Sequence, residues 1–186
     1  MLNKKIFVIL SLIFATLACT MSIGGPEYPT EVIPISPLSV ENMQAQFLAA
    51  FEAGANGGDI ILTITESQLT SYLSSKFDSE QSPLFTEPQV HLRDNRMTVY
   101  GKAAQGYFVA TVKVVIAVGI DEQGQPDVAI ESADFGPLPV PESLANALSA
   151  IIKEAYTGAV GPVATGFRIE KIGIKDGFMV MLGKVK

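Results

Sequence analysis

The sequence predicts an α+β domain in which a long, strongly curved antiparallel sheet wraps around an apolar helix. Three observations predict this fold class. Residues 89–135 form β-rich stretches joined by short turns, residues 107–120 are apolar at every even position, and residues 142–156 carry apolar side chains at helical spacing. Consecutive strands joined by tight turns pair antiparallel. Helices that lie outside such a sheet make the α+β class.

The first part of the body predicts two helices around a short strand. Ser39 is the predicted cap of a helix that runs to about residue 53. The apolar stripe of this helix consists of Met43, Phe47 and Phe51. Residues 59–64 are β-branched and predict a strand. Thr65 and Gln68 then have the spacing of a capping box, so a second helix should run to about residue 77.

The remainder predicts strands, after a polar loop over residues 78–88. The predicted strands are 89–93, 96–104, 107–120, 127–135, 167–175 and 178–185. The turns at Asp94-Asn95 and Asp176-Gly177 are typical of hairpins. At ~3.3 Å per residue the 107–120 strand would be about 46 Å long, which requires a sheet that curls strongly or wraps another element. The helix predicted over residues 142–156 is the natural element for it to wrap.

The composition excludes several function classes. Of 186 residues, 48% are hydrophobic and 17% are charged, and the formal net charge is −6. This balance excludes intrinsic disorder, which needs low hydrophobicity and high charge. An acidic chain also lacks the positive surface that binds nucleic acid. A single cysteine excludes an intramolecular disulfide framework and a Cys-rich zinc site.

The first 18 residues have the pattern of a secretory signal. Lys4 and Lys5 precede an apolar run over residues 6–18, as in the charged and apolar regions of a signal peptide. This run would span about 20 Å as a helix at ~1.5 Å per residue, whereas a membrane-spanning helix needs about 20 residues. We therefore expect a cleaved signal and not a transmembrane helix.

The sequence Ala15-Thr16-Leu17-Ala18-Cys19 resembles the lipobox of bacterial lipoproteins. The resemblance implies that the chain is cut before Cys19 and that its thiol takes a diacylglycerol. Several acyl chains on one residue anchor a protein stably. The expected localisation is therefore the cell envelope, with the body facing the extracytoplasmic side. An ordinary signal with an incidental cysteine is the alternative.

The segment from residue 19 to residue 38 is predicted to be an acylated cysteine followed by a tether. Prolines at 26, 29, 34 and 37 favour extended backbone over helix. Removal of Lys4 and Lys5 with the signal leaves 11 basic and 19 acidic residues, a net charge of −8. Such a body is not attracted electrostatically to anionic lipid. Residues 39–186 are predicted to form one α+β domain.

From these elements the chain resembles bacterial TULIP-like proteins, relatives of the bactericidal/permeability-increasing lipid-binding fold. The resemblance covers about residues 40–186. The matching stretches are "ITESQLTSYL" (64–73), "VHLRDNRMTVYGK" (90–102), "PLPVP" (137–141) and "IEKIGIKDGFMVMLGK" (169–184). It implies a curved sheet around a long helix and an apolar groove for acyl chains.

The sequence offers little polar chemistry. His91 is the only histidine, and no G-x-S-x-G nucleophile elbow accompanies it. Asp121, Glu122 and Asp127 lack the spacing of an EF-hand. No phosphate-binding glycine loop of the G-x-x-x-x-G-K type occurs. We therefore predict a protein that is not an enzyme and that uses no metal and no cofactor.

An apolar ligand is the predicted partner besides the membrane. The candidate groove residues are Met97, Phe108, Val112, Val114, Ile116, Leu144, Leu148, Ile151, Ile152, Met179 and Met181. Methionine side chains adapt to varied acyl chains, although filling of an ordinary core is the better explanation for any one of these residues taken singly. The predicted function is binding or shuttling of a lipid or other apolar molecule. The alternative is a non-enzymatic scaffold that has a filled core and a protein partner.

Overall fold

The computed structural model describes most of the body and only isolated residues of the third predicted helix. The described residues are 21–55, 58–78, 85–105, 107–122, 126–137, 146–147, 149–150, 154 and 167–185. The predicted signal peptide and Cys19 lie outside them. So do four of the groove candidates: Leu144, Leu148, Ile151 and Ile152. Where the structure describes the 142–156 stretch, the backbone is helical.

Two helices flank the first long strand. Helix α1 is Pro37–Gly54 and turns Met43 and Phe47 into the core. Helix α2 is Glu66–Asp78. The predicted capping box at its start is confirmed, because the Thr65 amide donates to Oε1 of Gln68 (2.9 Å) and the Gln68 amide donates to Oγ1 of Thr65 (3.2 Å).

The strands form two sheets, so the α+β class is confirmed and the prediction of one long sheet is corrected. Sheet A consists of β1 (Met21–Ser22), β3 (Phe85–Arg93), β4 (Arg96–Gln105), β5 (Phe108–Ile120) and β6 (Pro126–Asp134). Sheet B consists of β2 (Asp59–Thr65), β7 (Phe167–Lys175) and β8 (Phe178–Val185). Their orders are β1-β5-β4-β3, with β6 also on β5, and β2-β8-β7. All pairs are antiparallel except the short parallel pair of β1 and β5.

Two hairpin turns from different sheets meet at one end of the molecule. Asp94 and Asn95 both have positive φ (51° and 58°), which is the conformation of a two-residue type I′ turn. The Asn95 amide donates to the Ile174 carbonyl (3.1 Å), and the Gly177 amide donates to the Leu92 carbonyl (2.9 Å). These bonds join the β3–β4 turn of sheet A to the β7–β8 turn of sheet B. We call this end of the molecule the hairpin end.

Strand β3 begins within the predicted 78–88 loop. It starts at Phe85 and shifts register between Thr86 and Gln89. Glu87 has a positive φ of 51° at this irregularity. The bulge accommodates Pro88, which cannot donate to a ladder, and so the strand continues past a residue that predicted a loop.

The predicted alternation of β5 is confirmed for residues 110–118, whereas Phe108 and Ile120 at its two ends are exposed. Its inward residues Ala110, Val112, Val114, Ile116 and Val118 are all buried. All of them except Ala110 belong to a hydrophobic core that lies between the two sheets and includes residues of both helices. One face of β5 is therefore core, as the period of two requires.

The chain before α1 lies against sheet A, where the sequence predicted a tether. We call residues 22–36 the N-terminal strap. The Ile23 amide donates to the Val109 carbonyl (3.1 Å), and the Thr111 amide donates to the Gly24 carbonyl (3.0 Å). The strap therefore follows the first part of β5, on the edge that β6 covers farther along.

The strap then crosses to β3, two strands away in the order of sheet A. Tyr28 donates through its hydroxyl to the Glu87 carbonyl (2.6 Å). The Ile33 amide donates to Oε1 of Gln89 (2.6 Å), and Nε2 of Gln89 donates to the Ile33 carbonyl (3.3 Å). Ile33 and Gln89 are both buried. The proline-rich segment is thus held on the domain surface by a hydrophobic side chain and by backbone hydrogen bonds.

Candidate functional site

The structure brings six of the predicted groove residues together in one buried cluster. They are Met97 on β4, Val112, Val114 and Ile116 on β5, and Met179 and Met181 on β8. All six are almost completely shielded from solvent. The cluster therefore joins the inner faces of sheet A and sheet B, and the methionines come from both sheets.

Strand register explains why these side chains share one interior. Met97 lies opposite Ile116 in the β4–β5 pair. Met181 and Met179 are two positions apart on β8 and therefore point to the same face of sheet B. The thioethers of methionine are flexible and adapt to neighbours of varied shape. Because the six side chains are already buried, a ligand contacts them only by replacing atoms that now cover them.

Phe108 differs from the other described groove candidates. Its side chain is 43% exposed, and Phe108 is the first residue of β5. The neighbouring Tyr107 is 77% exposed. We call these two residues the aromatic end of sheet A. The even position of Phe108 predicted that its side chain would face the core. Because Phe108 is at the very start of β5, the core does not cover it.

A surface pocket of about 400 Å³ lies at the hairpin end. Its lining includes Val32 and Ile33 of the strap, Glu66 at the start of α2, Arg93 of β3, and Gly177 and Phe178 of the β7–β8 turn. We call it the Arg93 pocket. The sequence did not predict it, because its walls come from four separate parts of the chain. A glutamate at the first position of α2 was the one local signal.

Glu66 organises the floor of the Arg93 pocket. Its carboxylate accepts a hydrogen bond from the Leu92 amide (2.7 Å) and forms an ion pair with Arg93. The Glu66 amide donates to the Gly177 carbonyl (3.2 Å). Charge-assisted bonds of this kind are stronger than neutral ones, so α2, β3 and the β7–β8 turn are fixed together here.

Tyr28 makes a polar contact between the strap and β3. Burial, and secondarily the negative charge of Glu87, raises the pKa of Tyr28 to about 12. The neutral phenol is therefore the stable form, and it donates to the Glu87 carbonyl (2.6 Å). The contact ties the strap to the β3 bulge.

The described residues hold little that would support metal or acid–base chemistry. No group of three or more His, Cys, Asp or Glu side chains within them is placed to hold a metal ion. The ring of His91 lies edge-on to that of Tyr100, with 5.6 Å between centroids. Its Nε2 is buried and makes no hydrogen bond to the described residues.

Neither helix of the described residues is both long and apolar enough to cross a membrane. No protein-family model matches the sequence, and no curated protein shows significant similarity to it.

Proposed function

We propose that this chain is a TULIP-like envelope lipoprotein, anchored in a membrane through an acylated Cys19, that binds a lipid or another apolar molecule. The ligand would lie between the inner face of sheet A and the helix predicted over residues 142–156, around which the sheet would curve. The supporting observation is the continuous apolar inner surface of β4, β5 and β8. Sheet A contributes Met97 to it, and sheet B contributes Met179 and Met181. Binding would derive from burial of methylene groups, at ~0.8 kcal/mol each.

Lipid carried by the purified protein tests this binding. The matched variants are Met181→Trp, which places bulk on the inner face of β8, and Val180→Trp, which places it on the opposite face of the same strand. The protein would be purified from membranes, and its non-covalent lipid would be extracted and measured by mass spectrometry. We expect bound lipid in the parent protein and in Val180→Trp, and a large loss in Met181→Trp. A parent protein that carries no lipid contradicts the binding.

The anchor is tested separately. Cys19→Ser removes the thiol that would be acylated, so the variant should leave the membrane fraction, and the mass of the parent protein should include the acyl groups. Membrane association that persists in Cys19→Ser, without any acyl mass in the parent, contradicts lipidation.

A scaffold role is the second candidate, and the Arg93 pocket favours it. Phe178 at its edge is 48% exposed, and Val32 is 64% exposed. Exposed apolar side chains beside a fixed arginine are common in protein interfaces. In this case chemical cross-linking should recover one stoichiometric protein partner, and Phe178→Ser should abolish its recovery. Lipid in the parent protein together with an unchanged cross-linking pattern in Phe178→Ser would favour the first candidate.

A further inference from the structure

The start of β1 fixes where a membrane anchor would attach to the folded domain. Met21 pairs with Phe108 at the first position of β5. Cys19 precedes Met21 by two residues, and two residues span at most about 7 Å. Cys19 would therefore lie within about 7 Å of Met21, the residue that pairs with Phe108 at the aromatic end of sheet A.

The aromatic end presents side chains suited to the interface between lipid and water. Tyr107 is 77% exposed and Phe108 is 43% exposed. Tyrosine places its ring at the headgroup level and keeps its hydroxyl in water, and for this reason it is enriched at membrane interfaces. Next to an anchored residue, such side chains need only small intrinsic affinity, because the anchor raises their effective concentration at the surface.

Charge along β5 favours the same orientation. Near the aromatic end, Lys102 and Glu87 form an ion pair (2.7 Å) and so balance one another. The other end of β5 is about 40 Å away at ~3.3 Å per residue, and Asp121, Glu122 and Asp127 are exposed around it. With the aromatic end on the bilayer, this acidic end points away from lipid phosphates.

We propose that the aromatic end, Tyr107 and Phe108, is a membrane-seating surface that holds the domain upright on the bilayer in which Cys19 is anchored. The proposal rests on the acylation of Cys19 proposed above. The short connection and the strap together leave the domain little freedom to tilt, so the hairpin end with the Arg93 pocket faces away from the membrane.

The chain contains no tryptophan, which permits a direct test with single-tryptophan variants of the acylated protein. Phe108→Trp places the reporter at the aromatic end. Phe178→Trp is the matched control, because Phe178 has a similar exposure of 48% and lies at the hairpin end. Both proteins would be reconstituted into phosphatidylcholine vesicles with and without brominated acyl chains. Vesicle flotation and intact mass would report anchoring and acylation.

We expect the emission of Phe108→Trp to shift to the blue and to be quenched by about half in brominated vesicles, as for an interfacial indole. The emission of Phe178→Trp should be the same in both vesicles. A flexible insert of about 12 glycine and serine residues between Thr20 and Met21 would give the anchor about 20 Å of reach. It should retain flotation and remove most of the quenching at position 108.

Four results would overturn the proposal. If the acylated protein floats but the tryptophan at position 108 is not quenched, the membrane-seating proposal is wrong and the proposed anchor at Cys19 is still supported. Equal quenching at 108 and 178 means that the domain has no fixed orientation, and this also overturns seating. If the parent chain carries no acyl mass and does not float, the proposed anchor itself fails and seating fails with it. If position 108 is shielded only after a protein is added back, the surface is a protein interface instead.

Discussion

Gly101 on β4 offers a sharp test of how tightly the core is packed. A Cβ atom at this position would lie 2.1 Å from Cζ of Phe85, and 2.5 Å and 2.6 Å from Cε2 and Cε1. Carbon atoms in contact are normally about 3.5–4.0 Å apart. The Phe85 ring is fully buried and packs against Phe77 with 5.1 Å between centroids, so it has little room to withdraw.

Gly101→Ala should therefore destabilise the protein substantially. Overpacking of a core typically costs about 1–3 kcal/mol, and we expect about 3 kcal/mol because the clash is with a confined ring. Phe85→Leu removes the three ring atoms that the new methyl would meet. The double variant Gly101→Ala/Phe85→Leu should then be about as stable as Phe85→Leu alone. The two changes together would therefore cost about 3 kcal/mol less than the sum of their separate costs.

The measurement is the urea midpoint from far-ultraviolet circular dichroism, with Gly173→Ala as the control. Gly173 is also a strand glycine, and a Cβ there would meet no atom within 4 Å. We expect its midpoint to remain near that of the parent. If Gly101→Ala and Gly173→Ala unfold at the same urea concentration, or if Phe85→Leu does not relieve the effect, the packing argument is wrong.

Three further changes test single contacts. Glu66→Gln weakens the charge-assisted bond from the Leu92 amide and should lower the free energy of unfolding by about 1 kcal/mol; an unchanged urea midpoint would show that the carboxylate is dispensable. Tyr28 has its pKa raised to about 12, above its usual value of about 10, so its contribution to stability should be complete below pH 10 and lost between about pH 10 and 12. Tyr28→Phe should remove that part of the alkaline stability loss in a pH series, and an identical profile would contradict it. Gly177→Ala forces a side chain into a backbone with φ of +89° and should cost about 1 kcal/mol; a melting temperature equal to the parent's would refute the strain.

Features with a local cause were predicted well from the sequence. The Asp94-Asn95 turn, the Thr65–Gln68 capping box and the alternation of β5 each depend on residues a few positions apart. Their backbone geometry follows from side-chain chemistry that is present within one short segment.

Features made by distant segments were not predicted. The division into two sheets depends on the pairing of β2 with β8, and the docking of the strap includes hydrogen bonds to one buried amide, that of Gln89. A glutamine in an exposed segment and a glutamine buried under Ile33 look the same in a sequence. Six of the groove candidates, on β4, β5 and β8, were predicted correctly as inward residues, because period-two alternation identifies a face, whereas Phe108 is exposed. The alternation does not identify what covers that face.

The position of β8 has a consequence for when this protein can fold. Strand β8 lies in the middle of sheet B, and it is the only strand that β2 pairs with among the described residues. The backbone groups of residues 59–65 therefore form their strand hydrogen bonds only after residues 178–185 are present. Strands that are far apart in sequence, such as β2 and β8, pair slowly during folding. During synthesis β2 therefore stays unpaired until residues 178–185 have emerged, whereas β3, β4, β5 and β6 pair with their neighbours in sequence.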